Sequence, residues 1–282
     1  MPYSKQLSVN HPGLFLFLLD QSSSMSKPWG NTASSSNKET QVADVLNKFL
    51  RDLTLRCAKG SEIRKRIHIG VLGYGLDVNS AFLGSLSGKE TADIAEVASN
   101  PARVEERTRK ESDGAGGIIE VPIKFPVWVE AKSGGSTPMK EAFSEAKNIV
   151  SNWLTAHPGG YPPIIINITD GEYTSGNPSS EAQSIKHIST LDGNVLLFNI
   201  HISSSNSSAV FFPASVDSLT DNYAKELFEM SSQLPDAMIV KATDLYPGTS
   251  TGARGFAFNG DLVALVNFLD IGSTVDTVSS EN

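Results

Sequence analysis

The chain has 282 residues, a formal net charge of −8 and a pI near 5.2, a balance that disfavours nucleic acid and anionic membrane as partners. At 39% hydrophobic and 19% charged residues it can build a sizeable core and is not a disordered chain. Cys57 is the only cysteine, which excludes an internal disulfide and a cysteine metal cluster.

The N-terminal stretch MPYSKQLSVNHPG lacks the apolar core of a secretory signal, and the apolar run after it is far short of the ~20 residues of a spanning helix. A cytoplasmic location is expected. Leu14–Leu19, LFLFLL, is continuously apolar, as a strand covered on both faces must be. It stops at Asp20, Ser22, Ser23 and Ser24. A polar loop with Pro28, Trp29 and Gly30 follows, in which Trp29 is either a satellite of the core or an anchor for a partner. From Thr40, the residues Val42, Val45, Leu46, Phe49, Leu50 and Leu53 recur at helical period, and Cys57 continues that apolar face as a small core residue.

Ile67–Leu72 reads as a second buried strand, Ser80–Leu86 as a short edge strand, and Lys89–Ser99 as a weak helix. The charged run ARVEERTRKESDGAGG reads as a solvated, mobile excursion, and IIEVPIKFPVWV, with two prolines, as an edge strand or protruding hairpin. SGGSTPMKEAF opens a helix with Thr137 at the cap and Pro138 at the first position. PPIIINIT is a third parallel strand and ends at Asp170, Gly171 and Glu172. A helix over about Ser180–Leu191, a buried strand in NVLLFNIHI, a helix over Asp221–Ser232, short strands at Ala237–Ala242 and Gly255–Phe258, and a closing helix over Gly260–Leu269 complete the reading.

Strands alternating with amphipathic helices predict an α/β doubly wound fold: a mostly parallel central sheet with helices on both faces. One domain is expected over residues 1–282, with a core of about 14–269, an insertion at about 100–131 and a polar tail at 271–282. Two strands end in carboxylates, Asp20 and Asp170, and Thr137 opens a helix between them. In such folds ligands bind beyond the carboxyl ends of the strands, and hard oxygen donors gathered there suit a hard cation.

The ordered set Asp-x-Ser-x-Ser, Gly-Gly-Ser-Thr-Pro and apolar strand-Thr-Asp-Gly resembles the von Willebrand factor A family and its metal-ion-dependent adhesion site. The resemblance runs from Leu14 to about Leu269. It implies a VWA/Rossmann-like fold and a metal site of Asp20, Ser22, Ser24, Thr137 and Asp170 holding Mg²⁺ or Mn²⁺. It further implies no catalysis, but capture of an Asp or Glu side chain of a protein partner. The chain looks like stand-alone bacterial proteins of this family, whose relatives accompany kinases and phosphatases, stress or tellurium-resistance clusters, or AAA ATPases. Gln21 and Ser23 depart from the common pattern without touching a ligand position, and Glu172 could add a charge to the rim.

The physical reading agrees. Neutral hydroxyls orient a divalent cation without extinguishing its charge, so a water on it can yield to a foreign carboxylate. The competing class is a metal-dependent phosphohydrolase using the same ion as a Lewis acid. A dehalogenase-type phosphatase lacks its second acid, since Ser22 stands there. Ser24 and Lys27 mimic a penicillin-binding Ser-x-x-Lys, but the other motifs are in the wrong order and Pro28 breaks the helix it needs. The five histidines have no zinc spacing, and no Gly-x-x-x-x-Gly-Lys loop exists for ATP.

Overall fold

The computed structural model describes residues 2–29, 36–112, 117–202, 208–259 and 267. The first strand, β1 (Gly13–Asp20), is buried along its whole length. After it come α1 (Lys38–Cys57), the tight hairpin β2 (Ala58–Lys59) and β3 (Glu62–Ile63), then β4 (Ile67–Tyr74), β5 (Val78–Ser80) and β6 (Ala92–Asp93) leading into α2 (Ile94–Ser99). The strands β7 (Arg103–Ser112) and β8 (Ile118–Val127) precede α3 (Met139–Ala156) and β9 (Ile164–Thr169). Then follow α4 (Ser179–Lys186), the small hairpin β10 (Ser189–Thr190) and β11 (Gly193–Asn194), β12 (Leu196–His201), β13 (Val210–Phe211), α5 (Asn222–Met230), α6 (Asp236–Leu245) and β14 (Phe256–Phe258).

The main sheet runs β13-β14-β12-β9-β1-β4-β5, with β6 also on β4. The pairs β1–β4, β1–β9, β9–β12 and β12–β14 are parallel, and the short edge pieces β5, β6 and β13 are antiparallel. This is the expected α/β doubly wound architecture. From β1 the chain first builds outward to β4 and then crosses back to place β9 on the other side of β1. The reversal of strand order therefore falls between β1 and β9, where the crevice for a ligand opens in such sheets.

Both faces of the sheet are covered, because successive residues of β1 point to opposite sides. Phe15, Phe17 and Leu19 pack with Val42, Leu46, Phe49 and Leu50 of α1, and Met238 and Ala242 of α6 extend that layer. Leu14, Leu16 and Leu18 pack with Met139, Phe143 and Val150 of α3 and with Leu227 and Phe228 of α5. Trp29 is 7% exposed and belongs to the first of these cores, so it is a satellite of the core rather than an anchor. Cys57 is buried in the same layer, and burial pushes its thiol up to about 11. Its thiolate is correspondingly scarce at pH 8, so Ellman's reagent should label it roughly 100-fold more slowly than a free thiol. Rapid native labelling would contradict that packing.

Four expectations are corrected. The charged run is not a mobile excursion over its described part: β7 pairs with β8 in register from Arg103↔Val127 to Ser112↔Ile118. Its alternating charges fall on one face of the ribbon, where Glu105 meets Arg103 and Arg107, Arg107 reaches Asp44 of α1 at 2.8 Å and stacks on Phe125. A free-standing ribbon also tolerates Pro122 and Pro126, since its outer edges demand no N–H. The edge strand is Val78–Ser80, and Gly84–Leu86 is a 3-10 turn. Ala237–Ala242 is not a strand but lies inside α6, because Pro235 precedes a turn whose buried pair, Met238 and Ala242, is spaced four apart. Finally, Thr137 does not cap α3, which starts at Met139 after Pro138 with no side-chain cap bond. The predicted closing helix over Gly260–Leu269 and the tail at 271–282 lie outside the described residues, apart from position 267.

Candidate functional site

The ends of β1 and β9 and the loop before α3 meet at the crevice, and backbone bonds sew them together. Gly134 N–H donates to Gln21 O at 2.8 Å, and Ser23 reaches Gly135 O through its amide (3.3 Å) and its hydroxyl (3.0 Å). Thr137 N–H donates to Thr174 Oγ1 at 2.9 Å, and Thr174 N–H returns to Thr137 O at 3.1 Å. Thr169 Oγ1 donates to Asp20 Oδ2 at 2.7 Å, joining the third loop to the first. Glycine permits this approach. A Cβ on Gly75 would stand 2.6 Å from Gln21 O and 2.9 Å from Gly134 O, both backbone atoms that cannot yield.

Hydrogen bonds link Asp20, Ser22 and Ser24 to one another, while Thr137 is tied to Thr174 and Asp170 to Lys38 and His201 on the adjoining loops. Asp20 is 3% exposed, and its Oδ1 accepts from Ser22 N–H at 2.8 Å. Ser22 and Ser24 share a hydroxyl contact of 2.9 Å. Thr137 is buried at 4% exposure, its backbone held by the third loop and its hydroxyl released from helix capping. Burial, above all, pushes the Asp20 carboxyl up to about 6, and the charge of Asp170 adds to this while hydrogen bonds from Ser22 and Thr169 oppose it. Asp170 Oδ1 is buried without a hydrogen-bond partner among the described residues. Glu172 is exposed beside it.

Three contributors escape a reading of the sequence. Thr169 looks like the last residue of a strand, yet its hydroxyl holds Asp20 and accepts from Gly171 N–H at 3.0 Å. His201, at the end of β12, donates from Nε2 to Asp170 O at 2.6 Å, and burial holds its ring below the usual imidazole range. Lys38, the first residue of α1, places its ammonium 3.2 Å from Asp170 Oδ2, with side-chain exposures of 4% and 8%. A signal for Lys38 did exist. A cation at a helix N-terminus opposes the macrodipole and calls for an acid nearby.

Gly171 has φ +97, and a Cβ there would meet His201 Nε2 at 2.5 Å. Gly171→Ala is therefore expected to lower stability by about 1–3 kcal/mol through backbone strain and overpacking. Urea unfolding measures this, and a loss under 0.5 kcal/mol would contradict the placement of the ring.

No group of three or more His, Cys, Asp or Glu able to hold a metal ion occurs among the described residues. A cation here would rest on two carboxylates and hydroxyls instead. That donor set is all hard oxygen, it carries charge that burial makes costly, and it includes the partnerless Asp170 Oδ1. These features fit a Mg²⁺-like ion.

No family model matches this chain. No curated protein matches it in sequence either. Among solved structures it is similar to the manganese-loaded TRAP protein of Plasmodium vivax, at 14% identity and a TM-score of 0.46, over 95% of this chain and 76% of that one. It is also similar to an aerotolerance-related membrane protein of Bacteroides fragilis (16% identity, TM-score 0.36, 75% and 77% covered). A further likeness is to the three N-terminal domains of the type V pili tip protein Mfa5 of Porphyromonas gingivalis (12% identity, TM-score 0.33), covering 83% of this chain and 26% of that one. The fold stands on the sheet order above and not on these likenesses. Among the described residues no helix is long and apolar enough to cross a membrane.

Proposed function

We propose that this is a von Willebrand factor A-type domain that binds a divalent cation through Asp20, Ser22, Ser24, Thr137 and Asp170 and uses it to hold an acidic side chain of a protein partner. The observation that carries this reading is the convergence of three loops on two buried carboxylates, one of which keeps an oxygen without a hydrogen-bond partner.

When bound, Mg²⁺ or Mn²⁺ supplies the positive charge that a foreign Asp or Glu is drawn to. The chain's own residues do the rest. Ser22, Ser24 and Thr137 present neutral oxygens, which orient the ion without adding to the charge of the two carboxylates. Thr169 and Ser22 N–H fix the Asp20 carboxylate, and His201 fixes the backbone carbonyl of Asp170. We assign the domain a non-catalytic, adaptor-like role, in which the two basic groups gathered here, His201 and Lys38, serve to hold Asp170 in the metal-free protein rather than to activate a nucleophile. A kinase, phosphatase or AAA ATPase working beside it would be a fitting partner, and a cytoplasmic location would suit the composition.

The test is capture of interacting protein by the full chain with Mg²⁺, with EDTA, and with Thr137→Ala. Capture that EDTA and Thr137→Ala both abolish, in a folded variant, is the expected result. Capture indifferent to EDTA overturns the metal-dependent reading. Mg²⁺-dependent hydrolysis of p-nitrophenyl phosphate that Asp20→Asn removes would replace the adaptor with a hydrolase.

A further inference from the structure

The ammonium of Lys38 is enclosed at the crevice, with a side chain 4% exposed and its Nζ on Asp170 Oδ2. A buried lysine charge is tolerated only when a carboxylate answers it. It also sits on the first residue of α1, where Asn37 gives no side-chain cap bond and the helix end is itself positive. The backbone makes this placement deliberate: Lys38 N–H donates to Lys27 O at 3.1 Å, and Pro28 bridges to Asn37, so the loop after the first motif delivers the lysine to the third. One carboxylate oxygen of Asp170 takes the ammonium, and the other is buried without a partner.

We infer that Lys38 is a tethered counter-ion of the Asp170 carboxylate that competes with the divalent cation, so that cation binding requires the lysine to withdraw and the affinity for metal is set low by it. This deepens the metal-dependent reading above and rests on it. The reason is electrostatic. Two carboxylates and one ammonium leave the pocket with a single negative charge, whereas a divalent ion beside an undisplaced ammonium meets a like charge across a few ångströms of protein, where screening is weak. A lysine carries its ammonium on a flexible, unbranched four-carbon stem, so the charge can swing off Asp170 without moving the backbone.

The experiment is a titration of the full-length protein with MnCl₂, following free Mn²⁺ by electron paramagnetic resonance, together with the metal-free melting temperature. The wild type is compared with Lys38→Met, Lys38→Arg and Asp170→Asn. Lys38→Met is expected to bind Mn²⁺ at least 10-fold more tightly than the wild type, by removing a full like charge. It is also expected to melt lower without metal and to recover with it. Lys38→Arg, which keeps the charge, should bind no more tightly than the wild type, and Asp170→Asn should bind at least 10-fold more weakly. Should Lys38→Met fail to fold without metal, Lys38→Gln is read in its place. Equal or weaker binding by the neutral variant, with the wild type still binding, overturns the counter-ion role and leaves the metal site standing. Absence of Mn²⁺ binding in every variant overturns both.

Discussion

Asp20→Asn is expected to abolish the stabilisation of this protein by Mg²⁺ or Mn²⁺ while leaving the metal-free fold as stable as before, or more so. The amide has the shape of the carboxylate. Its oxygen can accept from Ser22 N–H and its nitrogen can donate to the Thr169 hydroxyl, so both bonds that hold the side chain survive. The negative charge does not survive, and burial makes that charge costly, pushing the folded carboxyl up to about 6 from the ordinary aspartate value of ~3.9. A raised folded pKa means that the native state binds the extra proton between pH 4 and 6. Stability of the metal-free wild type should then fall as pH rises through that window, by about 3 kcal/mol at most. In Asp20→Asn that slope should vanish. With metal the wild type recovers and the variant does not, since an ion at 100 times its Kd adds about 2.7 kcal/mol to a protein that binds it only when folded. Melting curves with EDTA and with MnCl₂ measure both effects. A variant that still gains stability from Mn²⁺ would remove Asp20 from the site.

Asn47→Ala should produce the largest loss of stability of any single substitution considered. Asn47, in α1, is 2% exposed and is bonded to the chain just after β8. Its Oδ1 accepts from Trp128 N–H at 2.8 Å and Val129 N–H at 3.1 Å, and its Nδ2 donates to Val129 O at 2.8 Å. Alanine leaves these three backbone groups buried and unpaired at the base of the β7–β8 ribbon, beside the fully packed Trp128. At about 1–3 kcal/mol for each orphaned group, and with some relaxation, the cost is on the order of 4 kcal/mol. That is a large part of the 5–15 kcal/mol typical of a whole domain. Guanidinium unfolding would show it as a lower midpoint, and a change below 1 kcal/mol would mean that the ribbon is not pinned through Asn47.

The core of the fold is legible in the sequence because β1, β4, β9 and β12 are buried almost throughout and read as predominantly apolar runs, unbroken in β1 from Leu14 to Leu19. The same runs end in Asp20 and Asp170, and a parallel sheet with its switch point between those strands must bring the two ends together. Elements with weaker patterns went astray for physical reasons. The run at Arg103–Ser112 has no apolar face to announce a strand, because its alternate residues pair charge with charge. The segment AMIVKA is rich in β-branched residues and too short for its period to tell strand from helix, and Pro235 decided for helix. Lys38 could not be assigned to Asp170 by spacing at all, since the two are 132 positions apart and only the fold joins them. Thr137-Pro138 has the pattern of a helix cap, yet the third loop holds the Thr137 backbone and α3 starts at Met139 without a side-chain cap bond.

The most direct test is anomalous diffraction from crystals of the full chain grown with Mn²⁺. A single manganese peak is expected among Asp20, Ser22, Ser24, Thr137 and Asp170, with the Lys38 ammonium moved off Asp170. No manganese at that crevice, with Lys38 still seated on Asp170 at saturating metal, would contradict this.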